Sequence, residues 1–169
     1  MPVSFQVFIL WLHLLGVMVW IGGLCFQLLV IPPALKRLPS AVEQLRSSLS
    51  LERWFRPVMW PAVGLVLLSG LYNLMNLLYA TTLAGSRLPS AFVQRLSIKL
   101  LLVVLMLLLH AVQRFVVHPR LVTGLSRLPS DALVLSGDLL KLQCLSRLLS
   151  FLVVSAAIVV ILLGLLLRR

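Results

Sequence analysis

Apolar positions run almost unbroken through four stretches, about Phe5–Ile31, Pro57–Ala80, Leu96–Val117 and Leu145–Leu167. Each is long enough to cross roughly 30 Å of hydrocarbon at about 1.5 Å per residue. The last contains FLVVSAAIVVILLGLLL, with no ionisable side chain. The expected fold is all-α: a polytopic membrane four-helix bundle, one domain over residues 1–169, with short interfacial helices in the loops.

The few polar positions inside these runs keep helical spacing. His13, Gly16, Trp20, Gly23 and Gln27 advance by 3, 4, 3 and 4 residues and so share one face. Lys99, Val103, Met106, His110 and Gln113 advance by 4, 3, 4 and 3. Ser69, Tyr72, Asn73 and Asn76 cluster on one face of the second span. The fourth span offers Ser150, Ser155 and Gly164 and reads as a packing wall. Polar groups are costly against lipid, so these stripes should face the bundle interior. The first stripe is expected to face the Lys99–His110 stripe across the bundle.

The loops carry their own pattern. RLPS occurs three times, at residues 37–40, 87–90 and 127–130, once per loop. Its proline precedes a serine able to N-cap the next helix, and its arginine suits the headgroup region. Ser40 with Glu43 forms a capping box. Val42, Leu45 and Leu49 then share a face, which predicts a short interfacial helix ending at Trp54 and Phe55. A second amphipathic stretch after Ser130 carries Leu135, Leu139 and Leu142. The spans do not otherwise repeat.

Composition agrees with the pattern. About 61% of the 169 residues are hydrophobic and 11% charged, too much apolar surface for a soluble domain of this size. The net charge of +11 does not point to nucleic acid, because of where it falls. Ten of the fifteen Lys and Arg residues lie in or beside loops one and three, five elsewhere. The positive-inside rule then places those loops in the cytoplasm and both termini outside, with Arg168 and Arg169 pulling the other way. The basic loops also touch anionic lipid. The first span has no preceding Lys or Arg and is too long for a signal-peptide core, so it is expected to remain as an anchor. Cys25 and Cys144 form no paired motif and read as small packing residues. There is no nucleotide-binding motif and no hydrolytic triad.

Two intramembrane histidines are the sharpest chemical signal. Imidazole ligates copper and haem iron, so His13 and His110 are candidate ligands, against a purely structural role. Met106, at i−4 from His110, adds a thioether, or is simply a core gap-filler. Lys99 either serves as an electrostatic or proton-handling group or snorkels to the nearby surface. Asn73, Asn76, Trp20 and Gln113 complete a supporting polar site, unless they only bond one helix to another. Gly16 and Gly23 allow close approach of a helix or a flat cofactor. His118, in VHPR, reads as a solvated boundary residue. By helical rise His13 lies roughly 12 Å into its span and His110 about 21 Å into a parallel one. A shared bis-histidine haem must close that gap. The alternative is two layers: His13, Lys99, Asn73 and Asn76 in one, Met106, His110 and Gln113 in the other.

LHLLGVMVWIGGLCFQLLVIPPAL, WPAVGLVLLSGLYNL and LSIKLLLVVLMLLLH resemble helices of the copper-resistance protein D (CopD) family over about the first two-thirds of the chain. The resemblance implies copper uptake or homeostasis at the bacterial inner membrane, with copper as the cofactor or cargo and a periplasmic copper protein or a larger membrane complex as partner. The chain also resembles the HemJ type of protoporphyrinogen oxidase, a four-helix membrane protein with haem b. That group pairs a first-helix His with a later Lys, matching His13 and Lys99. VIPPAL lacks the Arg and the Tyr-His typical there. A haem-dependent oxidoreductase and a structural accessory subunit are therefore the alternatives.

Overall fold

The computed structural model describes residues 3–85, 88–129 and 132–166. Helix α1 (Val3–Cys25) continues through a five-residue π turn (Phe26–Val30) into α2 (Ile31–Leu35). Helix α3 (Ala41–Leu83) carries the second span, and α4 (Ser90–Val112) the third. The latter passes through another π turn (Gln113–Val117) into α5 (His118–Ser126), and α6 (Gly137–Leu166) is the fourth span. Among the described residues four helices are long and apolar enough to cross a membrane. Their outer faces carry bare apolar side chains: Leu68 is 72% exposed and Leu101 69%. That surface suits hydrocarbon and not water.

The amphipathic stretches do not form separate interfacial helices. Residues 41–56 are the opening turns of the 43-residue α3, which at about 1.5 Å per residue is roughly twice the hydrocarbon thickness. The expected break after Phe55 is absent because Pro57 and Pro61 lie inside the helix. Each removes one backbone donor, and the flanking turns stay helical where Met59, Ala62 and Val63 are buried in the core. Likewise Leu139 and Leu142 belong to α6, while Leu135 precedes it in irregular chain. These extensions build a second apolar core beyond the first, from Val42, Leu45, Val117, Leu121, Leu139 and Leu149 among others.

The three RLPS segments end differently. Ser40 Oγ accepts a hydrogen bond from the Glu43 backbone N–H at 3.1 Å, capping α3. In the second, Pro89 is the cap residue and makes no side-chain bond, so Ser90 is the first helical residue instead of the cap. Ser130, Arg87, Arg168 and Arg169 lie outside the described residues. Helix α3 stops just before Gly85, whose φ of +58° is the left-handed conformation that glycine adopts most cheaply after a helix.

The spans pair as two antiparallel seams, α1 with α3 and α4 with α6. The first seam is bracketed by aromatic pairs, Phe5–Tyr72 with ring centroids 5.8 Å apart and Phe26–Phe55 at 5.4 Å. Between them the small residues of α1 meet α3. A Cβ on Gly16 would lie 2.9 Å from Val66 and 3.1 Å from the Ala62 carbonyl oxygen. One on Gly23 would lie 2.5 Å from the Met59 sulfur. The first stripe thus faces mainly α3, not α4 as the spacing suggested. Helical phase shows which residues share a face but not which helix that face meets. The seams join through Trp20, Val66, Met106, Val153 and Ala157.

Both π turns stand in the same setting. Phe26–Val30 is followed by Ile31 and then Pro32, and Gln113–Val117 by His118 and then Pro119. A proline ring clashes with the carbonyl four residues earlier. Widening that turn by one residue moves the carbonyl aside and keeps the helix continuous.

Gly16 and Gly22 give a matched test of the first seam. Gly16→Ala should cost roughly 1–3 kcal/mol through overpacking. Gly22→Ala, with nothing within 4 Å of the added Cβ, should be neutral or slightly stabilising. Thermal unfolding in detergent, followed by tryptophan fluorescence, separates the two. Equal midpoints would mean that α1 and α3 do not meet at Gly16.

Candidate functional site

Polar groups inside the bundle gather at three levels. The first is a cavity of about 640 Å³ bounded by all four spans. Its walls are apolar apart from His13, Asn73, Lys99 and the edge of Trp20, and Met106 contributes a thioether. His13 Nδ1 lies 3.0 Å from Ser69 Oγ. The Ser69 hydroxyl proton goes to the Leu65 carbonyl one turn back. Ser69 therefore accepts from His13, which fixes the Nδ1–H tautomer and leaves the Nε2 lone pair free. Ser69 itself is buried, and Gly70 makes room for the ring: a Cβ there would lie 3.2 Å from His13 Cε1.

Lys99 is half-buried and lines the same cavity. Its Nζ reaches across to α6, 3.6 Å from where a Cβ on Gly164 would lie. Among the described residues no hydrogen bond or ion pair to Nζ occurs. Asn73 lines the cavity; Asn76, one turn further on, does not.

The second level is an aromatic cage around His110. Trp20 stands edge-on to its ring at 6.1 Å between centroids, and Trp60 lies at 6.0 Å on a tilted plane. Trp60 also contacts Phe115 at 6.0 Å. His110 Nδ1 and Trp20 Nε1 are both buried without a hydrogen-bond partner. Met106, one turn away on the same face, is 3% exposed. His110 does not line the large cavity. The cavity therefore brings His13 together with Lys99 and Met106 but not with His110.

The third level lies toward loops one and three. Gln113 Nε2 donates to Ser150 Oγ at 2.8 Å and to Ser146 Oγ at 3.2 Å, so α6 is not the bland wall its sequence suggested. Around it is a small polar chamber of about 90 Å³ that includes Gln27, Gln44, Glu52 and His118. Arg114 Nη1 pairs with Glu52 Oε1 at 3.5 Å. His118 Nε2 is buried 3.6 Å from Glu52 Oε2, too long for a hydrogen bond. His118 is thus a chamber-lining residue and not a solvated one. The sequence missed it because α3, whose extension supplies Glu52, was expected to break before reaching its level. Cys25 and Cys144 are free thiols, and no cluster of three His, Cys, Asp or Glu occurs among the described residues.

Together these features define an all-α, four-span membrane protein with stacked polar levels inside an apolar bundle. The family model of copper resistance protein D matches residues 49–167, most of the chain, and the protein belongs to that family. The match begins in the extension of α3 and runs through α6. It leaves out the first span, where part of the resemblance was read, and takes in the fourth, where none was. No curated protein and no solved structure matches the chain.

The orphaned indole is directly testable. An unpaired buried N–H costs about 1–3 kcal/mol. Trp20→Phe keeps an aromatic ring beside His110 and removes that donor. The ligand-free protein should gain roughly 1 kcal/mol or stay neutral in thermal unfolding, against the usual loss on trimming a core aromatic. A loss of several kcal/mol would mean that Trp20 acts through its full ring volume.

Proposed function

We propose that this CopD-family protein handles copper as cargo within the bacterial inner membrane and serves copper uptake or homeostasis. Loops one and three face the cytoplasm and both termini lie outside, where a periplasmic copper protein delivers or receives the ion. The observation that carries the reading is the His110 level. An imidazole with a buried, unpartnered nitrogen shares a helix face with a buried thioether. Thioether and imidazole together suit copper(I), and nearby indole rings favour a cation.

His13 presents a free Nε2 and is the second ligand candidate. Lys99 lines the same cavity, and a fixed ammonium raises the energy of any cation placed beside it. The ion is therefore assigned to the His110 end of α4, with Met106, which lines that cavity two turns along the helix from Lys99, as its thioether and Gln113 as the polar group one turn beyond His110. The competing reading is a haem b oxidoreductase of HemJ type. Its bis-histidine form does not fit, because only one of the two imidazoles borders a space large enough for a macrocycle. A structural accessory subunit is the third reading.

Metal analysis with one visible spectrum distinguishes these. The purified protein should bind copper(I) and show no Soret band. His110→Ala and Met106→Leu should each weaken copper(I) binding roughly tenfold or more, while His13→Ala leaves it nearly unchanged. A Soret band that disappears in His13→Ala would replace copper with haem. A colourless protein with no copper affinity, indifferent to all three substitutions, would leave the structural role.

A further inference from the structure

The chain has four acidic residues, Glu43, Glu52, Asp131 and Asp138. All four belong to loops one and three or the helix ends beside them. Lys99 belongs to the opposite end, one turn inside Arg95. It lines an apolar cavity, and among the described residues no carboxylate pairs with it. A charged group held in hydrocarbon surroundings needs a counter-charge. Among the described residues none supplies it, and the cavity beside the ammonium has room for a counter-ion from outside the protein.

The shape of the cavity says how it arrives. Along α4 its wall runs from Phe92 to Leu107, about 22 Å at 1.5 Å per residue. It is long, narrow and aligned with the helices. Toward loops one and three, Trp60 closes the gap between α3 and α4 by packing on His110 and Phe115. Above that point the two backbones do not pack closely. Leu67 and Leu71 on α3, with Leu100 and Val104 on α4, both line the cavity and are exposed on the outer surface. The cavity therefore opens sideways into the hydrocarbon.

We propose that this cavity is a binding site for a single-chain amphiphile with a carboxylate head, of the fatty-acid class. The carboxylate pairs with Lys99 Nζ and accepts from the Asn73 amide beside His13. The chain lies along the apolar wall toward Val103, Leu107 and Val160. Entry is lateral, between α3 and α4. A neutral lipid leaves the ammonium unpaired. The site does not depend on copper, which is assigned to the level below.

Native mass spectrometry from mild detergent, with palmitic acid as the added probe, tests this. Wild type should carry one palmitate, and a photoreactive palmitate analogue should crosslink to cavity residues of α3 and α4. Lys99→Leu should weaken binding roughly tenfold or more, the worth of a charge-assisted contact, and Lys99→Arg should retain it. Val103→Trp, which fills the cavity and leaves the charge, should also abolish binding, so loss of fold in one variant does not decide the outcome. His110→Ala should bind palmitate as wild type does, which separates this site from the copper position. Equal palmitate binding in wild type and Lys99→Leu would overturn the proposal. So would a requirement for phosphatidylglycerol with no effect of palmitate, or a haem chromophore that palmitate cannot displace.

Discussion

Hydrocarbon offers no hydrogen-bond partner, and every feature of this chain answers to that constraint. Backbone groups must be satisfied within each segment, so the spans are helices. Polar side chains must find one another, so they converge on three internal levels: Ser69 accepts from His13, Gln113 donates to Ser146 and Ser150. Where none of the described residues is a partner, as at His110 Nδ1, Trp20 Nε1 and Lys99, the proposals begin. In a soluble protein water would fill such gaps unremarked. In a membrane they carry the two proposals made above, a soft cation at His110 and an anion at Lys99.

Charge is distributed with the same economy. The acids sit at the end of loops one and three, where Glu52 meets Arg114. The intramembrane ammonium sits toward the other end. The copper position proposed at His110 would lie between them, beside two indoles and a thioether. A cation and an anion can then be held in one small bundle, each where the nearest fixed charge does not oppose it.

The four spans and the fold class were legible in the sequence because hydropathy is a local property and lipid rewards it over whole helical lengths. The stripes on α1 and α4 were legible for the same reason. What each stripe faces was not. Gly16 and Gly23 read correctly as small residues on one face, yet only the three-dimensional pairing shows that Val66 and Met59 fill the space beside them. Helix ends were also hidden. Pro57 and Pro61 look like a boundary after Phe55, and the packing of their neighbours carries α3 straight through. That continuity brings Glu52 to His118, a meeting that no spacing rule joins across 66 residues. The large cavity was invisible for a related reason: it is a failure of two helices to touch, and sequence patterns report contacts better than gaps.

The two π turns have a consequence for how any substitution beyond them is read. Each accommodates one residue more than the regular turn it replaces, and one residue is about 100° of rotation about a helix axis. The helical phase established by His13 or Lys99 is therefore reset before Pro32 and Pro119. A wheel drawn through α1 into α2, or through α4 into α5, assigns the far residues to the wrong side. The reset also acts as a joint in the registry of the two halves: the faces before and after each turn can each be optimised in their own phase. Losing a single residue from either turn would swing Leu121 or Ile31 out of its buried position while the helix before the turn keeps its phase.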